Sequence, residues 1–138
     1  MNIKRLVSDK ILLSVSIGLI YLWFGALKFF PGLSPAEDLA MNTIDELTFG
    51  IIPPKVSYLL LAIWETAVGL ALLFGFRRRL FSALALVHLV CTFTPIFLFP
   101  EVSFTQAPYG WTLVGQYIFK NIVLIAALIS IYSVSPKS

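Results

Sequence analysis

This chain has 138 residues, of which 59% are hydrophobic and 12% are charged, and its formal net charge at pH 7 is +3. Soluble domains are about half apolar and about one quarter charged, so this composition excludes an ordinary soluble enzyme and a disordered chain. The length suits one domain and leaves no room for a catalytic domain beside a membrane-embedded part. A single cysteine excludes an internal disulfide framework and a cysteine-rich metal site.

Four segments are apolar and long enough to cross a bilayer, which takes about 20 residues. They are residues 11–30, 55–75, 80–99 and 116–134. Pro53 and Pro54 suit the start of the second helix, where a missing N–H costs little, and Gly75 suits its end. The sequence therefore predicts an all-α integral membrane protein, an antiparallel bundle of four transmembrane helices in a single domain.

Positive charge is distributed unevenly between the two ends of the predicted helices. One end carries seven basic residues: Lys4, Arg5, Lys10, Arg77, Arg78, Arg79 and Lys137. The other end carries only Lys55. Because Lys and Arg are enriched on the cytoplasmic side of membrane proteins, we expect both termini in the cytoplasm. We interpret the three consecutive arginines as an anchor at lipid phosphates, and we expect no nucleic-acid partner because no basic domain surrounds them.

The two connections at the opposite end are longer and carry structural signals. Residues 34–37, Ser-Pro-Ala-Glu, resemble a capping box with proline at the first helical position. Apolar residues then recur at helical spacing: Leu39, Ala40, Ile44 and Leu47. This pattern predicts a short amphipathic helix on the outer surface. The second connection, residues 100–115, is rich in aromatic residues that suit a membrane–water interface.

Each predicted transmembrane helix carries one stripe of polar or small residues. In the first helix the stripe consists of Gly18, Tyr21, Gly25 and Lys28. The stripes of the other three helices include Glu65 with Gly69, His88 with Thr92, and Gln116 with Lys120. Positions three or four residues apart share one helix face, and small residues let a neighbouring helix approach closely. We therefore expect a bundle with a polar seam.

Glu65 is the most informative residue of this seam. It lies about 15 Å into its helix, near the middle of the membrane, where an unpaired carboxylate is expensive. Lys28 and Lys120 are the lysines within reach, so we predict an ion pair of Glu65 with one or both of them. One of three polar side chains is expected to complete the pair: Tyr21, Gln116 or Asn121.

Each of these residues also has a simpler structural interpretation. Lys28 can simply extend to the headgroups, and a Glu65 ion pair can fix helix register without any catalytic role. His88 has no second histidine or cysteine at ligand spacing, so we expect no metal site. Cys91 is expected to be a small buried hydrophobe. Trp64 suits either core packing or, with Tyr21, the wall of a ligand pocket.

Several motifs resemble those of the DoxX-like family of small four-helix membrane proteins. They are Gly25-Ala26-Leu27-Lys28, the run from Trp64-Glu65 through Gly69 to Gly75, the turn Arg77-Arg78-Arg79 and the segment from Gly115 to Asn121. The order of these motifs covers nearly the whole chain. The chain is also similar to a related four-helix family of bacterial inner-membrane proteins of unknown function. By this resemblance Lys28, Glu65 and Lys120 are the intramembrane polar residues of the family.

The resemblance implies a bacterial inner-membrane protein with a redox association. Members of the family have been linked to quinone-coupled thiosulfate oxidation, to complexes with redox enzymes and to resistance against oxidants, and distant animal relatives help to assemble receptors. A dithiol mechanism is not among the options here, because Cys91 has no partner cysteine.

Three functions remain open from the sequence. The first is an accessory protein that acts through partners or ligands, with the bilayer, a membrane or redox protein and a second copy of the chain as expected partners. The second is a quinone-linked oxidoreductase subunit, in which His88 or Lys120 bonds a quinone carbonyl, Glu65 supplies a proton and a partner supplies electrons. The third, ranked last, is an oligomeric channel.

Overall fold

A computed structural model describes residues 2–34 and 37–136 as eight helices and one short hairpin. The helices are α1 (Ile3–Leu27), α2 (Glu37–Leu47), α3 (Pro54–Phe74), α4 (Arg78–Cys91), α5 (Thr94–Leu98), α6 (Pro100–Ser103), α7 (Leu113–Phe119) and α8 (Asn121–Val134). The hairpin consists of β1 (Phe104–Gln106) and β2 (Gly110–Trp111), which pair antiparallel.

Four stretches of helix are long and apolar enough to cross a membrane: Ile3–Leu27, Pro54–Phe74, Arg78–Leu98 and Leu113–Val134. The predicted all-α membrane bundle is therefore confirmed. Large apolar side chains on its outer surface are uncovered by protein, as in Trp23, which is 70% exposed. Lipid is the natural cover for such a surface.

The helix bounds differ from the predicted spans in ways that local chemistry explains. α1 begins at Ile3 because the Asn2 side chain accepts a hydrogen bond from the backbone N–H of Lys4, which caps the helix eight residues before the predicted start at 11. α3 begins after Pro53 and ends at Gly75, whose positive φ of 78° closes the helix as predicted.

The third and fourth spans are each broken into two helices, whereas the sequence predicted continuous ones. α4 ends at Cys91 and α5 begins at Thr94. Pro95 has no N–H, so the carbonyl of Cys91 loses its usual helical donor four residues on. In the fourth span, Lys120 separates α7 from α8. Neither proline nor glycine marks this second break.

α1 and α3 pack backbone against backbone. A Cβ added to Gly69 would lie 2.5 Å from the Leu22 backbone nitrogen and 2.9 Å from the Gly18 carbonyl oxygen. A Cβ added to Gly18 would lie 2.7 Å from the Leu73 nitrogen. The expected close approach through small residues is therefore present, and glycine is required at both positions.

The buried core lies between α1, α3, α4 and α8. Its members are Ile17, Tyr21, Val68, Leu72, Ala85, Leu89, Leu128 and Ile131. Trp64 is only partly buried and packs against this core. The core fixes the mutual positions of the four spans, and with them the polar residues of the seam.

Two of the three consecutive arginines tie helix ends together at the basic end of the bundle, the end with Arg77. Arg78 Nε donates to Ser14 Oγ at 2.9 Å, and Ser14 Oγ donates to the Leu72 carbonyl at 2.8 Å. Arg79 donates to the Ser135 carbonyl at 3.3 Å and lies over the Tyr132 ring. Arg77 is exposed, and Lys137 lies outside the described residues.

The predicted amphipathic helix is present as α2, with Leu39 and Thr43 buried against the bundle. Pro35 and Ala36 of the expected capping box lie outside the described residues. α2 packs against α3 and α5, so its apolar face covers the end of the bundle that lies opposite the arginines. We refer to this end as the α2 end.

The connection between the third and fourth spans is ordered by ring stacking and by a helix cap. The Phe104 and Trp111 ring centroids lie 4.4 Å apart, and Phe119 stacks on Trp111 at 5.0 Å. Thr112 caps α7 by accepting from the backbone N–H of Gly115 at 2.9 Å. The segment predicted as an aromatic loop thus contains α6, the hairpin and the first turn of α7.

Candidate functional site

An ion pair joins α1 to the middle of α3. Lys28 Nζ lies 2.7 Å from Glu65 Oε2, and only 11% of each side chain is exposed. Gly25 makes room for this pair, since a Cβ there would lie 2.8 Å from the Thr66 nitrogen and 3.0 Å from Glu65 Cβ. The predicted pairing of Glu65 with Lys28 is confirmed.

His88 and Tyr21 continue this polar cluster into the core. Glu65 Oε1 lies 3.6 Å from His88 Nε2, and His88 Nδ1 lies 3.0 Å from the Tyr21 hydroxyl. When Tyr21 donates to Nδ1, the imidazole carries its proton on Nε2, which then points to the carboxylate. Lys28, Glu65, His88 and Tyr21 therefore form a continuous series of polar groups across three spans.

A cavity of about 210 Å³ lies beside this cluster. The polar side chains Tyr21, Lys28, Glu65, His88, Thr92 and Asn121 line it together with apolar residues of the four spans. α2 forms its roof through Leu39, Ala40, Thr43, Ile44 and Leu47. A mostly apolar cavity with a few convergent polar groups is the usual form of a small-molecule site.

The sequence placed the wrong face of the fourth span toward this site. Gln116 and Lys120 are exposed and do not line the cavity, whereas Tyr117 and Asn121 do. The pair Tyr117 and Asn121 lies one residue after the pair Gln116 and Lys120, and one residue corresponds to about 100° around a helix. In the described chain the basic side chains beside Glu65 are Lys28 and His88, so of the two lysines predicted as partners Lys28 is confirmed and Lys120 is wrong.

Asn121 joins the breaks of the third and fourth spans. Its Nδ2 donates to Thr92 Oγ1 at 3.3 Å, and Thr92 Oγ1 donates to the Leu89 carbonyl at 2.6 Å. Both broken helices are thereby linked at the cavity wall. Asn121 completes the cavity lining, and no hydrogen bond found among the described residues joins it to Glu65 or Lys28. The ion pair is extended by His88 and Tyr21 instead.

Sequence reasoning missed two parts of the site. Phe24 and Tyr117 pack edge to face across the cavity wall, with ring centroids 6.1 Å apart. The apolar face of α2 was expected to lie on the surface and instead roofs the cavity. The available signal was the helical spacing of Tyr117 with Asn121 four residues later and Leu124 seven residues later.

Two expectations about single residues have different outcomes. Cys91 is exposed and lines the cavity, so its assignment as a buried residue is wrong. Trp64 packs on the core and does not line the cavity. Within the described residues no three His, Cys, Asp or Glu side chains are grouped to hold a metal ion.

Four membrane-spanning helices around a buried Lys–Glu–His cluster define a small integral membrane protein with an intramembrane polar site. The chain belongs to the DoxX family, whose model matches residues 11–99. Among curated proteins and solved structures, none matches this chain. The matched range contains Lys28, Glu65 and His88 but ends before the fourth span, so Tyr117 and Asn121 lie outside it.

Proposed function

We propose that this protein is a small accessory protein of a bacterial inner membrane that serves redox or oxidant-stress functions by holding a quinone in its cavity. The observation that carries the proposal is the cavity wall, which is largely apolar with polar groups converging beside Glu65. The redox association rests on the family resemblance. The choice of a quinone as the ligand rests on the chemistry of the cavity wall.

The polar residues fit a quinone head group. Lys28 Nζ lies 2.7 Å from Glu65 Oε2 and donates to the Phe24 carbonyl at 3.4 Å. An ammonium group has three N–H donors, so Lys28 can also donate to a ligand carbonyl. Asn121 uses one amide hydrogen on Thr92, so its other hydrogen and its carbonyl oxygen have no protein partner in the described chain. A bound quinone would supply reversible uptake of electrons and protons.

An accessory role agrees with the electrostatics of the site. The Lys28 and Glu65 charges compensate each other, so a neutral head group leaves the buried pair intact. An anion would compete for Lys28 and leave a buried carboxylate without its partner, which is expensive. The site therefore favours an uncharged amphipathic ligand over a charged metabolite.

A quinone-linked oxidoreductase subunit is the second candidate function, and the series of polar groups favours it. Glu65, His88 and Tyr21 follow one another at 3.6 and 3.0 Å, which is an order suited to moving a proton between the cavity and the core. In this role a redox protein in the membrane would supply the electrons. A second copy of this chain is a further expected partner.

We further propose that both termini lie in the cytoplasm. Six basic residues of the described chain lie near one end of the bundle: Lys4, Arg5, Lys10, Arg77, Arg78 and Arg79. Lys55 lies at the α2 end, and α2 itself carries acidic residues. The positive-inside rule then places the α2 end outside the cytoplasm, which a topology reporter fused to the C-terminus would test.

Decylubiquinone titrated into lipid nanodiscs that contain the protein should bind saturably. Ile44→Trp, which enlarges a residue of the cavity roof, should weaken binding by at least about tenfold because the larger ring occupies ligand space. Lys120→Met is the matched control and should bind as the wild type does, since Lys120 lies outside the cavity. Equal binding by all three proteins, or by empty nanodiscs, would contradict the proposal.

A further inference from the structure

The wall of the cavity between α1 and α7 is not formed by tight helix packing. α1 packs mainly on α3 and α8, and α7 packs on α6, β2 and α8. Phe24 and Tyr117 bridge the remaining gap with an edge-to-face contact, their ring planes 70° apart. One aromatic pair therefore separates the cavity from the outside of the bundle here.

Two residues of this wall, Tyr117 and Ile20, face both the cavity and the surroundings of the bundle. Tyr117 lines the cavity and is 45% exposed, and Ile20 lines it and is 39% exposed. Both lie within stretches of helix that are apolar enough to span a membrane. The medium on the outer side of this wall is therefore lipid rather than water.

We infer that Phe24 and Tyr117 gate a lateral portal through which an uncharged amphiphile exchanges between the bilayer and the cavity. The inference deepens the proposed function, on which it rests for the ligand. It adds that the ligand is dissolved in the membrane and keeps its apolar chain in the lipid while its head group lies beside Lys28 and Asn121.

Two other walls of the cavity are closed by stronger contacts. Backbone contact at Gly18 and Gly69 seals α1 against α3, and the Asn121–Thr92 hydrogen bond joins α8 to α4. The portal pair has only a ring contact between its two members. Opening this wall therefore costs less than opening either of those two.

The position of Tyr117 also allows movement. It lies on α7, a helix of seven residues that the break at Lys120 separates from α8. The far end of α7 is fixed, because Thr112 caps it and Gly115 packs directly on the Ser103 carbonyl. A rotation of the Tyr117 side chain, or a small tilt of α7 about its fixed end, opens the gap without disturbing the core.

Thiol accessibility tests the portal without any ligand. In a Cys91→Ser background, Thr43→Cys places a thiol in the cavity roof, where Thr43 is 7% exposed. The reagents are 4,4′-dithiodipyridine, which is uncharged and dissolves in bilayers, and a trimethylammonium methanethiosulfonate, which stays in water. Rates of modification are measured by intact-protein mass spectrometry in native membrane discs.

Adding Tyr117→Ala should accelerate modification by the uncharged reagent by about three- to tenfold, the effect of removing one aromatic pair. Tyr117→Phe keeps the ring and should retain the original rate, which also reports correct folding. Phe97→Ala is the matched control, because Phe97 is an 81% exposed aromatic outside the cavity. The charged reagent should be slow with every variant.

Two results would overturn the portal. One is a Tyr117→Ala rate no different from that of Phe97→Ala. The other is a charged reagent that reacts as fast as the uncharged one, which would mean access from water past α2. Because neither reagent needs a bound ligand, absence of quinone binding removes the proposed function while this measurement still decides the portal.

Discussion

Lys28→Met is expected to destabilise the protein strongly, by about 3–5 kcal/mol, the usual effect of removing one partner from a buried ion pair. Glu65 lies in the middle of α3 with a side chain only 11% exposed, so its carboxylate keeps little contact with solvent when Lys28 is gone. Glu65→Gln should cost less, because Lys28 caps the end of α1 and its long side chain can extend toward the α2 end of the bundle.

The double variant Lys28→Met/Glu65→Gln separates pairing from other effects. Its free energy of unfolding, measured in mixed detergent micelles, should fall by less than the sum of the two single losses. Lys120→Met serves as the control and should change stability by no more than about 0.5 kcal/mol, since its side chain is exposed. Additive losses in the double variant would contradict the ion pair.

Gly69→Ala should also be strongly destabilising, because the added methyl group meets backbone atoms that cannot move aside. The Leu22 nitrogen would be 2.5 Å and the Leu22 Cα 2.9 Å from the new Cβ. Overpacking of this kind costs about 1–3 kcal/mol, and here α1 and α3 must separate along their length. The same unfolding assay in micelles measures the effect.

Ala67→Val is the matched control for Gly69→Ala. Ala67 lies on the same helix two residues away and is exposed to the surroundings, so added methyl groups there meet no protein. Gly18→Ala should resemble Gly69→Ala, and the two together should cost less than their sum, since either one alone separates the helices. A Gly69→Ala protein as stable as Ala67→Val would contradict the backbone contact.

The parts of the fold that follow from apolar length and small-residue spacing were predictable. The spacing of Gly18, Gly25 and Lys28 predicted a face that a neighbouring helix approaches closely. The depth of Glu65 limited its expected partners to Lys28, Lys120 or both, and Lys28 is the one found. These predictions succeed because burying a carboxylate leaves few choices of partner, and because close helix packing requires glycine.

The orientation of the fourth span was not predictable by the same logic. Two adjacent faces compete there, and the face with Lys120 carries the formal charge while the face with Asn121 does not. Lys120 lies at the break after α7, near the α2 end, where a long side chain reaches the interface without a partner. The charge therefore gave no reason to turn that face inward.

The cavity roof was not predictable from the sequence either. The periodicity of α2 predicts an amphipathic helix, but the same apolar face suits a lipid surface or a protein surface equally well. Leu39, Thr43 and Ile44 lie over the cavity because α2 packs on α3 and α5. Tertiary contacts of this kind are not encoded in a local pattern.

Native mass spectrometry of the protein released from native membrane discs tests most directly the claim that the cavity beside Glu65 holds a small amphiphile. We expect a retained mass of a few hundred daltons on the wild type and on Lys120→Met, and its loss from Ile44→Trp. Organic extraction then identifies the molecule and tests whether it is a quinone. A wild-type protein released with a polypeptide partner and no small molecule, or without either, would contradict the account.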